Sequence, residues 1–303
     1  MRFAVTGGAG FIGSHIVNAL VRDGHSVTVV DNLRTGRMVN LENCIDDIDL
    51  VEGDIRDYDL LREKFRDLDG VFHEAALASV PDSFRIPDEY HTVNVKGTEN
   101  IFKLANEYGY KVVYASSSSI YGNPVRVPIT EDHPKNPINP YAKTKVDDEK
   151  LAQKYAELGA RIIGLRYFNV FGRGQSKEYA GVIKKFLENM YDKKPLIING
   201  DGLQTRDFVY VGDVAEANLL AMKSDVKHAF INIGTGSSIT VLELAEMIIK
   251  ESNFLSPPIH GPALDGDVRE SEADITRARE LLKWVPKTTL NDWLKIAIPA
   301  KLS

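Results

Sequence analysis

Cysteine is almost absent from the sequence, in which Cys44 is the only cysteine among 303 residues. A single cysteine excludes an intramolecular disulfide, and with it the small secreted folds that depend on such bonds. This cysteine usage fits a reducing compartment. We therefore expect a cytoplasmic protein whose stability comes from a packed hydrophobic core.

Long apolar runs and an excess of basic residues are also missing. No stretch approaches the roughly 18 apolar residues of a transmembrane helix, and the apolar run in "MRFAVTGG" is too short for a signal peptide. The formal net charge is -6, whereas general nucleic-acid binders usually carry a basic stripe. The seven histidines are scattered without the spacing of metal ligands. The sequence therefore predicts no membrane span, no nucleic-acid partner and no metal site.

Continuously apolar strand patterns alternate with helical patterns through the first part of the chain. The predicted strands are "RFAVTG", "SVTVVD", "IDLVEGD", "GVFHEAA", "YKVVYASSS" and "ARIIGLRYFNVFG". The helical patterns between them include "FIGSHIVNALVRDGH", "DYDLLREKFRDLD", "TVNVKGTENIFKLANEYG" and "NPYAKTKVDDEKLAQKYAELG". Such alternation is typical of a parallel sheet covered by helices on both faces. The sequence predicts an α/β fold of the Rossmann type, with a doubly wound parallel sheet.

The regular alternation ends near residue 170, where shorter strands begin to mix with helices. The predicted strands there are "PLIING", "RDFVYV" and "AFINIG", and "SPPIHGPALDGD" is predicted to be a loop because of its prolines and glycines. We predict one domain over residues 1–168, with segments near 207–235 returning to its sheet. Residues 169–303 are predicted to form a smaller, mixed α/β, substrate-binding lobe.

A glycine-rich loop lies between the first predicted strand and the first predicted helix. "TGGAGFIG" places Gly7, Gly10 and Gly13 at three-residue spacing, which lets the backbone turn tightly and approach a pyrophosphate at the helix N-terminus. Asp31 ends the second strand, where a carboxylate accepts hydrogen bonds from a ribose and repels a 2′-phosphate. The first domain is therefore predicted to bind NAD rather than NADP, a preference that the neighbouring Arg34 and Arg37 weaken.

The stretch "NPYAKTK" sets a tyrosine beside a cation, because Tyr141 and Lys145 are four residues apart and share a helix face. Free tyrosine has a pKa of about 10, and a nearby ammonium together with a positive nicotinamide ring favours the phenolate. Such a base can take a proton from a sugar hydroxyl. By itself the stretch also fits an ordinary helix start, with Asn139 as the cap and Pro140 in the first turn. Joined to a dinucleotide loop, it predicts a catalytic base.

Taken together, the motifs resemble the extended short-chain dehydrogenase/reductases, specifically the group of nucleotide-sugar epimerases and dehydratases. The resemblance rests on "TGGAGFIG", "VDNL", "EGDIRD", "FHEAA", "NVKGTENI", "SSSSIYG", "PYAKTK", "LRYFNVFG", "RDFVYVGDVA" and "GDVRESEADI", which span nearly the whole chain. It implies that Tyr141 is the catalytic base and that Lys145 is its partner, which also binds the nicotinamide ribose. It further implies that Ser117 is the catalytic serine or threonine of the family.

The resemblance also implies binding residues. Those implied for NAD are Gly7, Gly10, Phe11, Ile12, Gly13, Asp31, Asn32, Asp54, Ile55, Ala75, Asn94, Ser116, Tyr141, Lys145 and Tyr167, with Phe168 near the nicotinamide. Those proposed for the substrate are Ser117, Ser118, Tyr141, Asn169, Arg206, Arg269 and Ser271. We select Arg206 and Arg269 as diphosphate partners because a guanidinium fork suits phosphate oxygens; the alternative for both is a surface salt bridge.

The residues after the fifth strand bear on the type of reaction. The 4,6-dehydratases of this group carry "TDE" where this chain has Ser117-Ser118-Ser119, so no carboxyl group is present there to assist elimination. The pattern is similar to the UDP-hexose 4-epimerases, in which a transient 4-keto sugar forms and is reduced again on its other face. The alternatives are UDP-glucuronate 4-epimerisation or decarboxylation, 4,6-dehydration, and a non-catalytic NAD-binding sensor. The intact Ser117, Tyr141 and Lys145 argue against the sensor.

Two further expectations follow from the resemblance. Ser271 stands where some epimerases carry a bulky tyrosine, which leaves room for the 2-acetamido group of UDP-N-acetylglucosamine beside UDP-glucose and UDP-galactose. Leu264 stands where many relatives have a phosphate-binding arginine, a loss for which Arg269 is the candidate to compensate. Relatives commonly pair two helices per subunit in a four-helix bundle, so we expect a homodimer through helices 92–108 and 140–158.

Overall fold

The computed structural model describes residues 1–175, 181–263 and 267–300. Strands and helices alternate through its first part. The strands are β1 (Arg2–Thr6), β2 (Ser26–Asp31), β3 (Ile48–Glu52), β4 (Gly70–His73), β5 (Lys111–Ser117) and β6 (Arg161–Tyr167). The helices are α1 (Phe11–Arg22), α2 (Tyr58–Lys64), α3 (Val80–Arg85), α4 (Pro87–Tyr90), α5 (Thr98–Tyr108) and α6 (Pro140–Glu157).

The second part has shorter strands, several of which pair only with each other. Its strands are β7 (Asn169–Phe171), β8 (Ile197–Asn199), β9 (Thr205–Arg206), β10 (Phe208–Tyr210), β11 (His228–Ile233), β12 (Ile239–Thr240) and β13 (Ile259–Gly261). Its helices are α7 (Val182–Tyr191), α8 (Val211–Lys223), α9 (Val241–Ser252), α10 (Thr276–Leu282) and α11 (Leu290–Ala297). No helix of the described ranges is both long enough and apolar enough to cross a bilayer.

Seven strands form one central sheet in the order β11-β6-β5-β4-β1-β2-β3. Every neighbouring pair is parallel. The chain runs outward from β1 in both directions, so the order reverses between β1 and β4. In such sheets the crevice for a ligand opens at the carboxyl ends of the strands on either side of that reversal. The predicted Rossmann-type α/β fold is confirmed.

Two hydrophobic cores cover the two faces of the sheet, as the alternation of side chains along a strand requires. Phe3 and Val5 of β1 pack into one core together with α1 and α8, whereas Ala4 packs into the other together with α5. All three residues are buried. A third core joins α7, α9 and α11 around Phe186, Leu244 and Trp293.

Several elements differ from the sequence-based expectation. The helix predicted over "TVNVKGTENIFKLANEYG" is α5 preceded by a π-helical stretch, His91–Gly97. The stretch predicted to be a loop contains β13, which pairs in parallel with β8. Helices α3, α4 and α11 were not predicted. Helix α3 begins after Ser79, its N-terminal cap, whose side chain accepts a hydrogen bond from the Asp82 amide.

Candidate active site

The glycine loop is folded so tightly that side chains do not fit in it. Gly7 has φ +67°, and a Cβ atom on it would lie 2.7 Å from the amide nitrogen of Ala75. A Cβ atom on Gly13 would lie 2.2 Å from the carbonyl oxygen of Gly7. The loop ends at Gly10, the N-terminal cap of α1, where the first amides of the helix have no partner within it. This open cradle at a helix N-terminus fits the pyrophosphate of a dinucleotide.

Asp31 provides the acidic group at the end of β2. Its Oδ2 accepts a hydrogen bond of 2.9 Å from the Ala9 amide, and its Oδ1 accepts one of 2.8 Å from the Leu33 amide. Burial raises the pKa of Asp31, and these two backbone bonds partly offset that effect. Nearby Arg34 forms a two-pronged ion pair with Glu89. The cation next to Asp31 is thus already paired with a carboxylate.

A second acidic group lies one strand further out. Arg56 donates two hydrogen bonds to the Asp54 carboxylate, of 2.9 and 2.8 Å, and Asn32 donates a third. The bonds from Arg56 are the main reason that the pKa of Asp54 is lowered to about 2. Ile55 is buried behind it, against Gly97. Asn32, Asp54 and Ile55 all line the same cleft as the glycine loop.

Helix α6 brings the tyrosine and the lysine to this cleft. The helix begins after Asn139, whose side chain accepts a hydrogen bond of 2.8 Å from the Ala142 amide. Tyr141 and Lys145, one turn apart, both line the cleft. The Lys145 Nζ is buried and donates to the carbonyl oxygen of Ala115 over 2.9 Å. The lysine therefore reaches from α6 to the end of β5.

Ser117 is the last residue of β5 and also lines the cleft. Its Oγ accepts a hydrogen bond of 3.1 Å from the Ser119 amide. Because this bond uses a lone pair of the oxygen, the hydroxyl proton of Ser117 stays available for donation into the cleft. The cleft thus contains a hydroxyl donor, a phenol and an ammonium.

A buried ion pair fixes β5 and β6 to α6 behind these side chains. Glu149 accepts hydrogen bonds of 2.8 Å from both Nε and Nη2 of Arg166. It also accepts one of 2.7 Å from the Ser116 Oγ. Burial opposes the charge of Glu149, but Arg166 and Lys135 outweigh it and lower the pKa of the carboxyl. The network determines the position of the β5 end relative to Tyr141.

Two carboxyl groups near Lys145, one half-buried and one fully buried, were not found by sequence reasoning. Glu74 follows β4, and its Oε1 accepts a hydrogen bond of 2.9 Å from the Tyr167 hydroxyl. Asp148 is fully buried, and its Oδ2 lies 3.3 Å from the Lys145 Nζ. Burial raises the pKa of Glu74 to about 8 and that of Asp148 to about 7. For Glu74 a signal existed, since an acid directly after a buried parallel strand stands at the ligand-binding edge.

Most of the residues proposed from the sequence come together around one cleft. Its lining includes Gly7, Gly10, Phe11, Ile12, Gly13, Asp31, Asn32, Asp54, Ile55, Ala75, Ser116, Ser117, Tyr141, Lys145, Tyr167 and Phe168. The lining residues that the sequence did not single out include Gly53, Glu74, Leu77, Val93, Ala115 and Gln175. Outside the lining lie Asn94, Ser118, Asn169, Arg206, Arg269 and Ser271.

Asn94 supports the cleft from behind. It is fully buried in the π-helical stretch, and its side-chain amide exchanges hydrogen bonds of 2.8 and 2.9 Å with the backbone of Leu77. A third bond joins it to the Thr144 hydroxyl on α6. Asn94 therefore connects a wall residue of the cleft to the helix that carries Tyr141.

Three of the remaining proposed residues, Arg206, Arg269 and Ser271, lie at or beside β9. The Thr205 amide donates to the carbonyl oxygen of Arg269 over 3.0 Å, and the Ser271 amide donates to the Thr205 hydroxyl over 3.4 Å. Both arginines already have carboxylate partners, since Arg206 pairs with Asp267 and Arg269 pairs with Asp201. The pair of Arg269 is exposed on both sides, which agrees with the surface salt bridge considered as its alternative. Leu264 lies outside the described residues.

Comparison with known proteins assigns the family. The family model described as "NAD dependent epimerase/dehydratase family" matches residues 3–234. A putative UDP-glucose 4-epimerase of Methanocaldococcus jannaschii is 42% identical over 296 residues, which cover 96% of this chain and 95% of that protein. The predicted resemblance to the epimerase group is thereby confirmed.

Solved structures show the same similarity over the full length. A UDP-glucose 4-epimerase from Thermotoga maritima, crystallised with UDP-glucose, is 38% identical with a TM-score of 0.94, covering 99% of this chain and 98% of that one. A UDP-N-acetylglucosamine 4-epimerase from Methanobrevibacter ruminantium, in complex with UDP-N-acetylmuramic acid, is 36% identical with a TM-score of 0.94, covering 98% and 97%. The glycine cradle, the acid after β2 and the tyrosine–lysine helix are thus found in a chain that belongs to the NAD dependent epimerase/dehydratase family.

Proposed function

We propose that this protein is an NAD-dependent 4-epimerase of UDP-hexoses, which interconverts UDP-glucose and UDP-galactose through a transient 4-keto sugar. The observation that carries the proposal is that Tyr141, Lys145 and Ser117 line the same cleft as the glycine loop. The similarity over nearly the whole chain to an epimerase crystallised with UDP-glucose supports the choice of substrate.

The residues of the cleft fit NAD from one end to the other. Gly7, Gly10 and Gly13 would hold the pyrophosphate, and Asp31 would bind the adenosine ribose. Lys145 would bind the nicotinamide ribose, and the adenine would lie against Asn32, Asp54 and Ile55. When bound, NAD supplies the redox chemistry by accepting a hydride from the sugar C4 and returning it.

The proton of the sugar 4-hydroxyl is handled by the side chains of this chain. Tyr141 takes that proton as a phenolate and later gives it back. Lys145 stabilises the phenolate because its buried ammonium places a positive charge where solvent screening is weak. Ser117 orients the hydroxyl, since the proton of its Oγ is not used by the Ser119 amide. Elimination is disfavoured because Ser117-Ser118-Ser119 contains no carboxyl group.

The sugar nucleotide would occupy the side of the cleft toward β9. Ser118 and Asn169 would contact it there, and Arg206 and Arg269 would turn from their carboxylate partners toward the diphosphate. Ser271 is small and buried, so we propose that the pocket also accepts UDP-N-acetylglucosamine and UDP-N-acetylgalactosamine. The similarity to a UDP-N-acetylglucosamine 4-epimerase supports this wider range.

We propose that two parts of the chain bind the two ligands. Residues 1–168, with returning segments near 207–235, would bind NAD, and residues 169–303 would bind the sugar nucleotide. Two copies would pair through α5 and α6, which lie side by side on one face of the sheet. The lone, buried Cys44 supports a cytoplasmic location.

Product analysis tests the proposal. The protein is incubated separately with UDP-glucose, UDP-N-acetylglucosamine and UDP-glucuronate, and the products are resolved by chromatography. We expect 4-epimers of the first two. Tyr141→Phe should lose turnover but still bind NAD, whereas Tyr108→Phe, at the end of α5, should match the wild type. Turnover by Tyr141→Phe at the wild-type rate would exclude this tyrosine as the base.

A further inference from the structure

Lys145 lies near two carboxyl groups, Asp148 and Glu74, although its proposed role requires only Tyr141 beside it. Its Nζ lies 3.3 Å from the Asp148 Oδ2, and both side chains are almost entirely buried. Burial lowers the pKa of Lys145, but the charges of Asp148, Tyr141 and Glu74 outweigh it, so that the pKa is raised. Asp148 lies one turn further along α6, and its Oδ1 has no hydrogen-bond partner among the described residues.

Asp148 limits the direction in which the ammonium can point. A lysine ammonium has three N–H donors. One donates to the Ala115 carbonyl and a second to Asp148, so a single donor remains for the cleft that Lys145 lines. Asp148 is therefore placed to control both the orientation and the effective charge of Lys145.

We propose that Asp148 is a positioning residue, a buried counter-ion that sets the charge which Lys145 presents to Tyr141. This inference rests on the function proposed above, in which Tyr141 is the base. When Asp148 carries a proton, the ammonium is unopposed and favours the phenolate. When Asp148 is ionised, its charge offsets the ammonium and opposes the phenolate.

The other groups around Lys145 are poorly suited to this task. Burial and then the charge of Lys145 lower the pKa of His73 to about 3, so this ring stays neutral. Burial and then the charges of Glu149 and Asp148 raise the pKa of Tyr114 well above its usual value. Glu149 is paired with Arg166 and Lys135. Asp147 is half-buried and pairs with the exposed Lys150.

The charged groups on the other elements packed against α6 do not reach this buried space. They are exposed or half-buried, and comprise Asp82 and Arg85 on α3, Asp88 and Glu89 on α4, His91 and Lys96 in the π-helical stretch, Glu99, Lys103 and Glu107 on α5, and Arg161 at the start of β6. Lys111, at the start of β5, is buried but donates to the backbone of Ala221 and Ser224. Among the residues that the structure describes, Glu74 is the one competitor, because it also lies near Lys145 and its pKa is raised to about 8 by burial. It is held by the Tyr167 hydroxyl, whereas Asp148 contacts the ammonium directly.

Burial raises the pKa of Asp148 to about 7, so it titrates where a base for a sugar hydroxyl has to work. Each of two interacting acids makes the ionisation of the other less favourable, and their protons leave in two macroscopic steps. We therefore expect the protons of the interacting groups in the wild type to leave over a wider pH range than a single proton does.

The test is a pH titration of the NAD-bound protein, followed by the ultraviolet absorbance of the phenolate and corrected by subtracting Tyr141→Phe. The pH profile of kcat/KM for UDP-glucose is measured in parallel. The absorbance of the wild type should change with pH less steeply than the loss of a single proton predicts. Asp148→Asn, which keeps the shape and a hydrogen-bond acceptor, should titrate as one proton. Its midpoint should lie about half to one pH unit lower, less than the 1–3 units of a charge in direct contact.

Asp147→Asn is the matched comparison, because it removes the same charge one residue away, from a half-buried carboxylate that pairs with Lys150, and it should shift the midpoint less than Asp148→Asn does. Glu74→Gln should shift the midpoint of the titration less than Asp148→Asn does. A wild-type curve that already has the slope of one proton would overturn the inference, even if Asp148→Asn does not fold. An Asp148→Asn midpoint equal to that of Asp147→Asn would overturn it as well. Absence of any absorbance step that depends on Tyr141 would instead remove the proposed base, and the inference with it.

Discussion

Removal of the Glu149 carboxylate should destabilise the protein more than most single substitutions. Glu149 and Arg166 are 1% and 2% exposed, and Glu149→Ala would leave the guanidinium buried without its bidentate partner. Breaking a buried ion pair from one side costs about 3–5 kcal/mol, because the remaining charge keeps its desolvation penalty. The loss of the Ser116 hydrogen bond adds roughly 1 kcal/mol. We therefore expect a loss of about 4–6 kcal/mol in the free energy of unfolding.

Urea unfolding followed by circular dichroism measures this loss. Glu157→Ala, at the exposed end of the same helix, is the control and should change the free energy by less than about 0.5 kcal/mol. The double variant Glu149→Leu with Arg166→Met should recover much of the loss, because it removes both charges. The pKa of Glu149 is lowered in the folded state, so its contribution is present at neutral pH and is lost as the pH falls. A loss below about 1 kcal/mol for Glu149→Ala would refute the reasoning, since that is the value of an exposed pair.

Three further predictions concern the cleft. Gly13→Ala should lower NAD affinity about tenfold or more in calorimetry, because overpacking costs about 1–3 kcal/mol and the new methyl group would overlap the Gly7 carbonyl; unchanged affinity would contradict the cradle. Asp31→Asn should weaken NADH binding by about 10- to 100-fold, the value of a charge-assisted hydrogen bond, with a smaller effect on NADPH in fluorescence titrations; equal losses for both cofactors would exclude the ribose contact. The pKa of Glu74 is about 8 in the folded protein, whereas its ordinary value is 4.5. The contribution of the protonated carboxyl to stability is therefore lost as the pH rises from 4.5 through 8. Glu74→Gln should therefore make the difference in Tm between pH 4.5 and pH 8 smaller. An unchanged difference would show that the Glu74 carboxyl does not cause the loss of stability at pH 8.

Local patterns carried much of the information on the fold. The apolar runs of β1 to β6 and the helical spacing between them are properties of short segments, so the sequence alone predicted the order of the elements. The glycine spacing and the Tyr141–Lys145 spacing are local too. The strand β13 could not be predicted in this way, because it exists only through pairing with β8, which lies about 60 residues earlier in the chain.

The features of the site that the sequence did not reveal depend on contacts between distant segments. Glu74 is held by Tyr167, 93 residues away, and Arg206 pairs with Asp267, 61 residues away. Such pairs depend on how distant segments of the chain fold against each other. The sequence could in principle have indicated Asp148, because it lies three residues after Lys145 on the same helix. Only the packing of that helix against β5 shows that the Asp148 side chain is buried.

The fate of the hydrogen at the sugar C4 tests the central claim most directly. UDP-galactose deuterated at C4 is incubated with the NAD-bound protein, and the UDP-glucose formed is analysed by mass spectrometry and NMR. We predict that the product keeps the deuterium at C4, because the hydride leaves and returns within one site. Product that has lost the deuterium to solvent, or no 4-epimer at all, would contradict the account.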